Sequence, residues 1–178
     1  SYFYSVRISN QKESRTMANQ LEIHILLEEV HKIATAGFVL AVHVRFTTPT
    51  FLFQTYTKEW LDYYSQNGFV IYDPSVAWAF KNIGAIKWSA LAEQDPMNVL
   101  TKAAEYGMKF GTVCGVEIDE SRSIGGFARA DREFDTTETE TLVEMMRTLH
   151  ALTADVKSIS PETSTALRTM SVQFTHSQ

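Results

Sequence analysis

The hydrophobic period of this chain changes twice, and that alternation limits its architecture more than any single motif does. From Met17, the residues Ile23, Leu26, Leu27, Val30, Ile33 and Ala34 recur at helical spacing, with Glu22, Glu28, Glu29 and Lys32 between them. Gly37 stops that helix. Phe38 to Phe46 is rich in β-branched and aromatic residues and reads as a strand, and Phe51 to Tyr56 reads as a second. Ile83 to Ser89, Val113 to Ile118 and Ile124 to Ala130 read as three more, and Phe69 to Tyr72 as an extended stretch before the Asp73-Pro74 turn. Thr57 caps a short helix that ends at Asn67-Gly68, and Asn98 opens another through Ala103, Ala104 and Met108. Helical period returns at Asp135, where Glu138 completes a capping box. The helix it opens carries Leu142, Val143, Met146, Leu149, Leu152 and Val156 on one face. Helix, strands, helices, strands and helix in that order predict an α+β fold, with helices packed on a mostly antiparallel sheet.

The 178 residues are enough for one domain, which is assigned to residues 17–157. The first sixteen residues carry Arg7, Lys12 and Arg15 against Glu13 alone and are read as an N-terminal arm or leader. Sixteen basic residues against twenty-one acidic ones give a net charge of −5, so the surface repels phosphate and nucleic acid is not the expected partner. The longest weakly charged run, Ala34 to Leu52, is interrupted by His43 and Arg45, so no membrane span is expected. Cys114 is the single cysteine; it forms no internal disulfide and fits a reducing, cytoplasmic setting.

Catalytic and metal motifs are weak. His24, His31, His43, His150 and His176 are not spaced with carboxylates or Cys114 as metal ligands. Gly125-Gly126 lacks the lysine and the strand-to-helix context of a phosphate loop. Cys114 lies in an apolar strand, as an inert thiol does. No serine sits in a nucleophile elbow. The chain is therefore read as a non-enzyme without a cofactor or metal.

The informative residues are aromatic, with one acid among them. Tyr56, Trp60 and Tyr64 are spaced by four and stack in one column on the short helix. Asp73 and Trp88 follow, the carboxylate lying just before a rigid proline. An indole N–H only donates, a carboxylate only accepts, and a phenol does either. Converging, they would suit a small ligand with both an amide N–H and carbonyl oxygens, inside an apolar wall. The same spacing also fits ordinary core aromatics and a turn-capping Asp73.

The pattern Tyr56, Trp60, Tyr64, Asp73-Pro74 and Trp88, followed by Tyr106-Gly107 and the glycine-flanked stretch Gly111 to Gly115, resembles the acyl-homoserine-lactone-binding domain of LuxR-type quorum-sensing regulators. The resemblance spans about residues 17 to 157. It implies an α/β/α sandwich around a five-stranded antiparallel sheet, with the signal, an N-acyl-homoserine lactone, held between the sheet and one helical layer. Trp60 would donate to the lactone carbonyl, Asp73 would accept the amide N–H, and Tyr56 would donate to the acyl carbonyl. Tyr64 and Trp88 would wall the lactone and the start of the chain. Many members carry a serine or threonine on the last strand; here Ala128 or Arg129 takes that place, and a one-residue slip exchanges them. Gly126, Ala128 and Ala130 are expected to face the ligand, with Ala128 the ligand-binding position. Leu61, beside the pocket tryptophan, is apolar.

Such regulators also carry a helix-turn-helix domain. Residues 158–178, with Ser160-Pro161 as a helix start, look like a linker and the opening of that domain, and are too few for two helices around a turn. The chain alone is expected not to bind DNA. Two readings stay open: the sensing part of a longer regulator, or a truncated regulator that inhibits a full-length one by forming heterodimers with it. Helices of the sensing domain would support a homodimer or heterodimer, with Met145, Met146, Leu149 and Leu152 serving an interface or packing on the sheet.

Overall fold

The computed structural model describes residues 2–46, 48–154 and 165, with side chains from residue 18 onward. The chain begins with α1 (Tyr2–Ile33), so helix includes the stretch assigned above to an arm. There follow β1 (Gly37–Arg45), β2 (Thr48–Gln54), α2 (Lys58–Gln66), α3 (Pro74–Lys81), β3 (Gly84–Lys87), α4 (Val99–Glu105), β4 (Phe110–Ile118), β5 (Ser121–Arg129) and α5 (Thr136–Leu152). Two 3-10 segments, Phe69–Ile71 and Trp88–Gln94, complete it. The five strands form one sheet in the order β2-β1-β5-β4-β3, and every neighbouring pair is antiparallel.

Strand alternation divides the interior into two layers. Phe38, Leu40 and Val42 of β1, Cys114 and Val116 of β4, and Phe127 of β5 point to the side covered by α1 and α5. There they meet Ile23, Leu27, Val30, Leu142, Met146 and Leu149, all buried. Each such side chain contributes roughly 1.5–3 kcal/mol on removal from water. Met146 and Leu149 are thus spent on the domain's own core, and Met145 and Leu152 pack against it. Val156 lies outside the described residues. The opposite face, with Val39, Val113 and Ala128, packs under α2, α3 and α4.

The ends of the helices follow local chemistry. The Thr57 side chain accepts from the Trp60 N–H and caps α2. Asp135 and Glu138 make the reciprocal capping box of α5. Three expectations are corrected. Phe69 to Tyr72 is not extended: Gly68, at φ 61°, turns the chain into a 3-10 turn. The third strand stops at Lys87, and Trp88 opens a 3-10 segment. Tyr56 precedes the Thr57 cap and lies outside α2, so only Trp60 and Tyr64 share the helical column. Asn98 opens α4 as expected, at φ 53°, and the Asp95 carboxylate accepts from the N–H groups of Val99 and Leu100.

Candidate functional site

Between the sheet and the helices α2, α3 and α4 lies a cavity of about 340 Å³. That is within the range of small-molecule pockets and far larger than the voids of an ordinary core. Tyr56, Trp60, Tyr64, Asp73 and Trp88 all line it, so the fold brings together five residues spread over thirty-three positions of sequence. Ala128 is fully buried in the same layer, but Gly126, one step back on the same face of β5, is the residue on the cavity wall. Ala130 falls just beyond β5. Arg129 points to the other face. Its guanidinium donates to both oxygens of Asp131 at 2.9 Å and to the Ile33 carbonyl at 2.7 Å, and lies 3.7 Å from Glu138.

The polar end is built by α2, α3 and the segment between them. The four-residue spacing puts Trp60 and Tyr64 on one face of α2, with ring centroids 5.6 Å apart. Phe69 and Tyr106 close around Trp60 at 6.4 and 5.3 Å. Asp73 is the N-cap of α3, and this fixes its carboxylate: Oδ1 accepts from the Ser75 N–H at 2.9 Å and from the Ser75 hydroxyl at 2.6 Å. Oδ2 accepts from the Tyr64 hydroxyl at 2.8 Å. Capping and presentation to the cavity are therefore served by one side chain. A carboxylate has roughly four acceptor positions, and three protein donors occupy Asp73.

Burial, and secondly the charge of Asp73, push the Tyr56 and Tyr64 hydroxyls well above the ordinary phenol range, so both stay protonated. Tyr64 spends its proton on Asp73. The Tyr56 hydroxyl and the Trp60 indole N–H have no hydrogen-bond partner among the described residues and remain available as donors. Trp88 forms the floor against β4. A Cβ at Gly111 would fall 1.9 Å from the Trp88 ring, so only glycine admits that indole flat on the strand. Its N–H is buried with no partner among the described residues.

The rest of the wall is apolar: Val39, Ala41 and Val44 of β1, Ile124 of β5, Leu61 of α2 and Val76 of α3. Leu52, Val70 and Phe80, from three separate elements, line the cavity and are also 37%, 54% and 40% exposed, so they form a greasy rim where it meets solvent. Sequence reading missed Ser75, Gln54 and this rim. Ser75 had a local signal in Asp73-Pro74-Ser75; Gln54 and the rim had none, since their common position depends on tertiary packing.

Elsewhere, burial pushes the Cys114 thiol up to about 12, which keeps it protonated and unreactive. Among the described residues, no three His, Cys, Asp or Glu side chains converge as metal ligands, and no helix is long and apolar enough to cross a membrane.

An antiparallel sheet between helical layers, with a lined cavity on one face, defines a small-molecule-binding domain. The autoinducer binding domain family model matches residues 24–156, and the chain belongs to that family, the sensing domain of LuxR-type quorum-sensing regulators. Solved structures agree on the fold. The N-acylhomoserine lactone dependent LuxR family transcription factor CepR2 from Burkholderia cenocepacia is 18% identical, with a TM-score of 0.50 over 79% of this chain and 96% of that one. Escherichia coli SdiA is 16% identical, with a TM-score of 0.59 over 84% of this chain and 69% of that one. SdiA in complex with octanoyl-rac-glycerol is 14% identical, with a TM-score of 0.59 over 86% and 69%. No curated protein matches the chain in sequence.

Proposed function

We propose that this domain senses an N-acyl-homoserine lactone and performs no chemistry on it. The observation that carries the reading is the donor and acceptor pattern at the polar end of the cavity. Asp73 is the one acid on the wall among the described residues, with an acceptor position left, and the free donors of Trp60 and Tyr56 line the same space. An amide N–H would go to Asp73 as a charge-assisted bond. The lactone carbonyl would take the Trp60 N–H, and the acyl carbonyl the Tyr56 hydroxyl. Tyr64 and Trp88 would hold the lactone ring between them, with Ala128 packed behind Gly126. The acyl tail would run along Ala41 and Ile124 towards the rim, gaining roughly 0.8 kcal/mol for each CH2 removed from water. The structure of SdiA with an acylglycerol supports a lipid-tailed guest for this fold, and the lactone dependence of CepR2 supports the lactone head.

The test is thermal unfolding of the purified chain with a panel of acyl-homoserine lactones and with octanoylglycerol. Ligand at a hundred times its dissociation constant stabilises the folded state by about 2.7 kcal/mol. A lactone is expected to raise the melting temperature, with the rise reduced in Trp60→Phe and Asp73→Asn. A panel with no effect, or a response to octanoylglycerol alone, overturns the lactone assignment.

A further inference from the structure

We propose that Gln54 reads an oxygen on the acyl chain near its head, and so selects chains oxygenated at the third carbon over plain ones. This rests on the acyl-lactone reading above. Gln54 is the one side-chain amide on the cavity wall among the described residues, and no described residue hydrogen-bonds it. Its neighbours in the sheet are apolar or small: Val39 lies directly across on β1, and Gly126 directly across from Val39 on β5. These three registered positions make one strip on the cavity face, with neighbouring strands roughly 4.8 Å apart. The strip also locates the Tyr56 hydroxyl. A Cβ built on Gly126 would fall 3.5 Å from that oxygen and 3.1 Å from Val39 Cγ1. A carbonyl held by Tyr56 therefore sits over Gly126, and a chain leaving it towards the apolar wall of β1 and β2 passes Gln54 within its first few carbons.

The amide offers both an N–H donor and a carbonyl acceptor. It satisfies a ketone by donating and a hydroxyl by accepting, and against a plain methylene chain it loses water without a replacement partner. Selectivity follows from that loss as much as from the new bond.

The experiment is tryptophan-fluorescence titration of wild type, Gln54→Leu and Gln54→Glu with lactones of one chain length: unsubstituted, 3-oxo and 3-hydroxy. Wild type is expected to bind both oxygenated chains about five- to tenfold tighter than the plain one. Gln54→Leu should abolish or reverse that ratio. Gln54→Glu should keep the 3-hydroxy chain, which can donate to a carboxylate, and lose the 3-oxo chain, which cannot; a merely wetter cavity would not separate the two. Equal binding of all three chains by wild type, or an unchanged ratio in Gln54→Leu, overturns the Gln54 assignment alone. No binding of any lactone by wild type overturns the acyl-lactone reading, and this inference with it.

Discussion

The Tyr64 hydroxyl donates to Asp73 Oδ2 across 2.8 Å and joins the last turn of α2 to the residue just before α3. The bond orients a carboxylate whose other oxygen is held by Ser75, and it uses the only proton Tyr64 has. Asp73 is thereby aimed by two elements before any guest arrives, and its aim costs no reorganisation on binding.

Removing that donor is the simplest test of the arrangement. Tyr64→Phe keeps the ring against Trp60 but leaves Oδ2 without its protein partner. Denaturant unfolding should show a loss of about 1–2 kcal/mol, and lactone affinity should fall because the carboxylate is free to turn away.

Gly111 is predicted to tolerate nothing larger. In Gly111→Ala the new Cβ would meet the Trp88 ring at 1.9 Å, against rigid groups on both sides. Overpacking of this kind costs about 1–3 kcal/mol. The melting temperature should drop, and the double variant Gly111→Ala with Trp88→Leu should recover part of the loss.

Acid should weaken the opposite face of the sheet. His150 is buried at the end of α5, with Nδ1 2.7 Å from the Ser123 hydroxyl and its carbonyl 2.9 Å from His43 Nε2. Burial first, and His43 second, lower its pKa below the ordinary 6.5. The unfolded chain therefore binds a proton at His150 before the folded one does, so stability rises with pH across that interval. Urea unfolding should show this contribution complete above about pH 7 and lost as pH falls through about 6.5 towards the lowered folded value. His150→Gln should flatten that part of the profile.

The rim predicts a chain-length profile. Leu52, Val70 and Phe80 are lining and exposed at once, so a long tail meets apolar surface as it leaves and no end wall. Calorimetric titration with lengthening acyl chains should give about a fourfold gain per CH2, levelling off rather than reversing once the tail passes the rim. Val70→Asp should cut affinity for the longest chains and leave the shortest nearly unchanged.

What was legible in the sequence was local or periodic. Thr57, and Asp135 with Glu138, cap the helices they announce, because their partners lie within three residues. Of the expected column, Trp60 and Tyr64 follow from helical spacing and stand together, while Tyr56 lies before the Thr57 cap and reaches the cavity from outside the helix. Val70 and Ile71 misled because β-branched residues favour strands; here both are exposed on a 3-10 turn that the left-handed Gly68 opens. Asn98 opens α4 as its type announces, while its left-handed backbone leaves the first N–H groups of the helix to Asp95. The facing of β5 was signalled by its small residues: Gly126 and Ala128 both lie on the cavity side, Gly126 paired with Val39. Gln54 stayed hidden because its place on the cavity wall depends on tertiary packing.

The irregularity in β1 has one last consequence. Between Ala41 and Val44 the pairing with β5 slips by one residue, and His43 adopts φ 51° with its N–H donated to the Ser123 hydroxyl at 3.0 Å. Val42 and His43 both turn from the cavity, and Val44 returns to it. The insert thus acts as a phase corrector. Were the strand to keep strict alternation through that extra residue, Val44 would be exported and the Arg45 cation delivered to the greasy compartment, whereas excising His43 would straighten the strand and leave Val44 where it is.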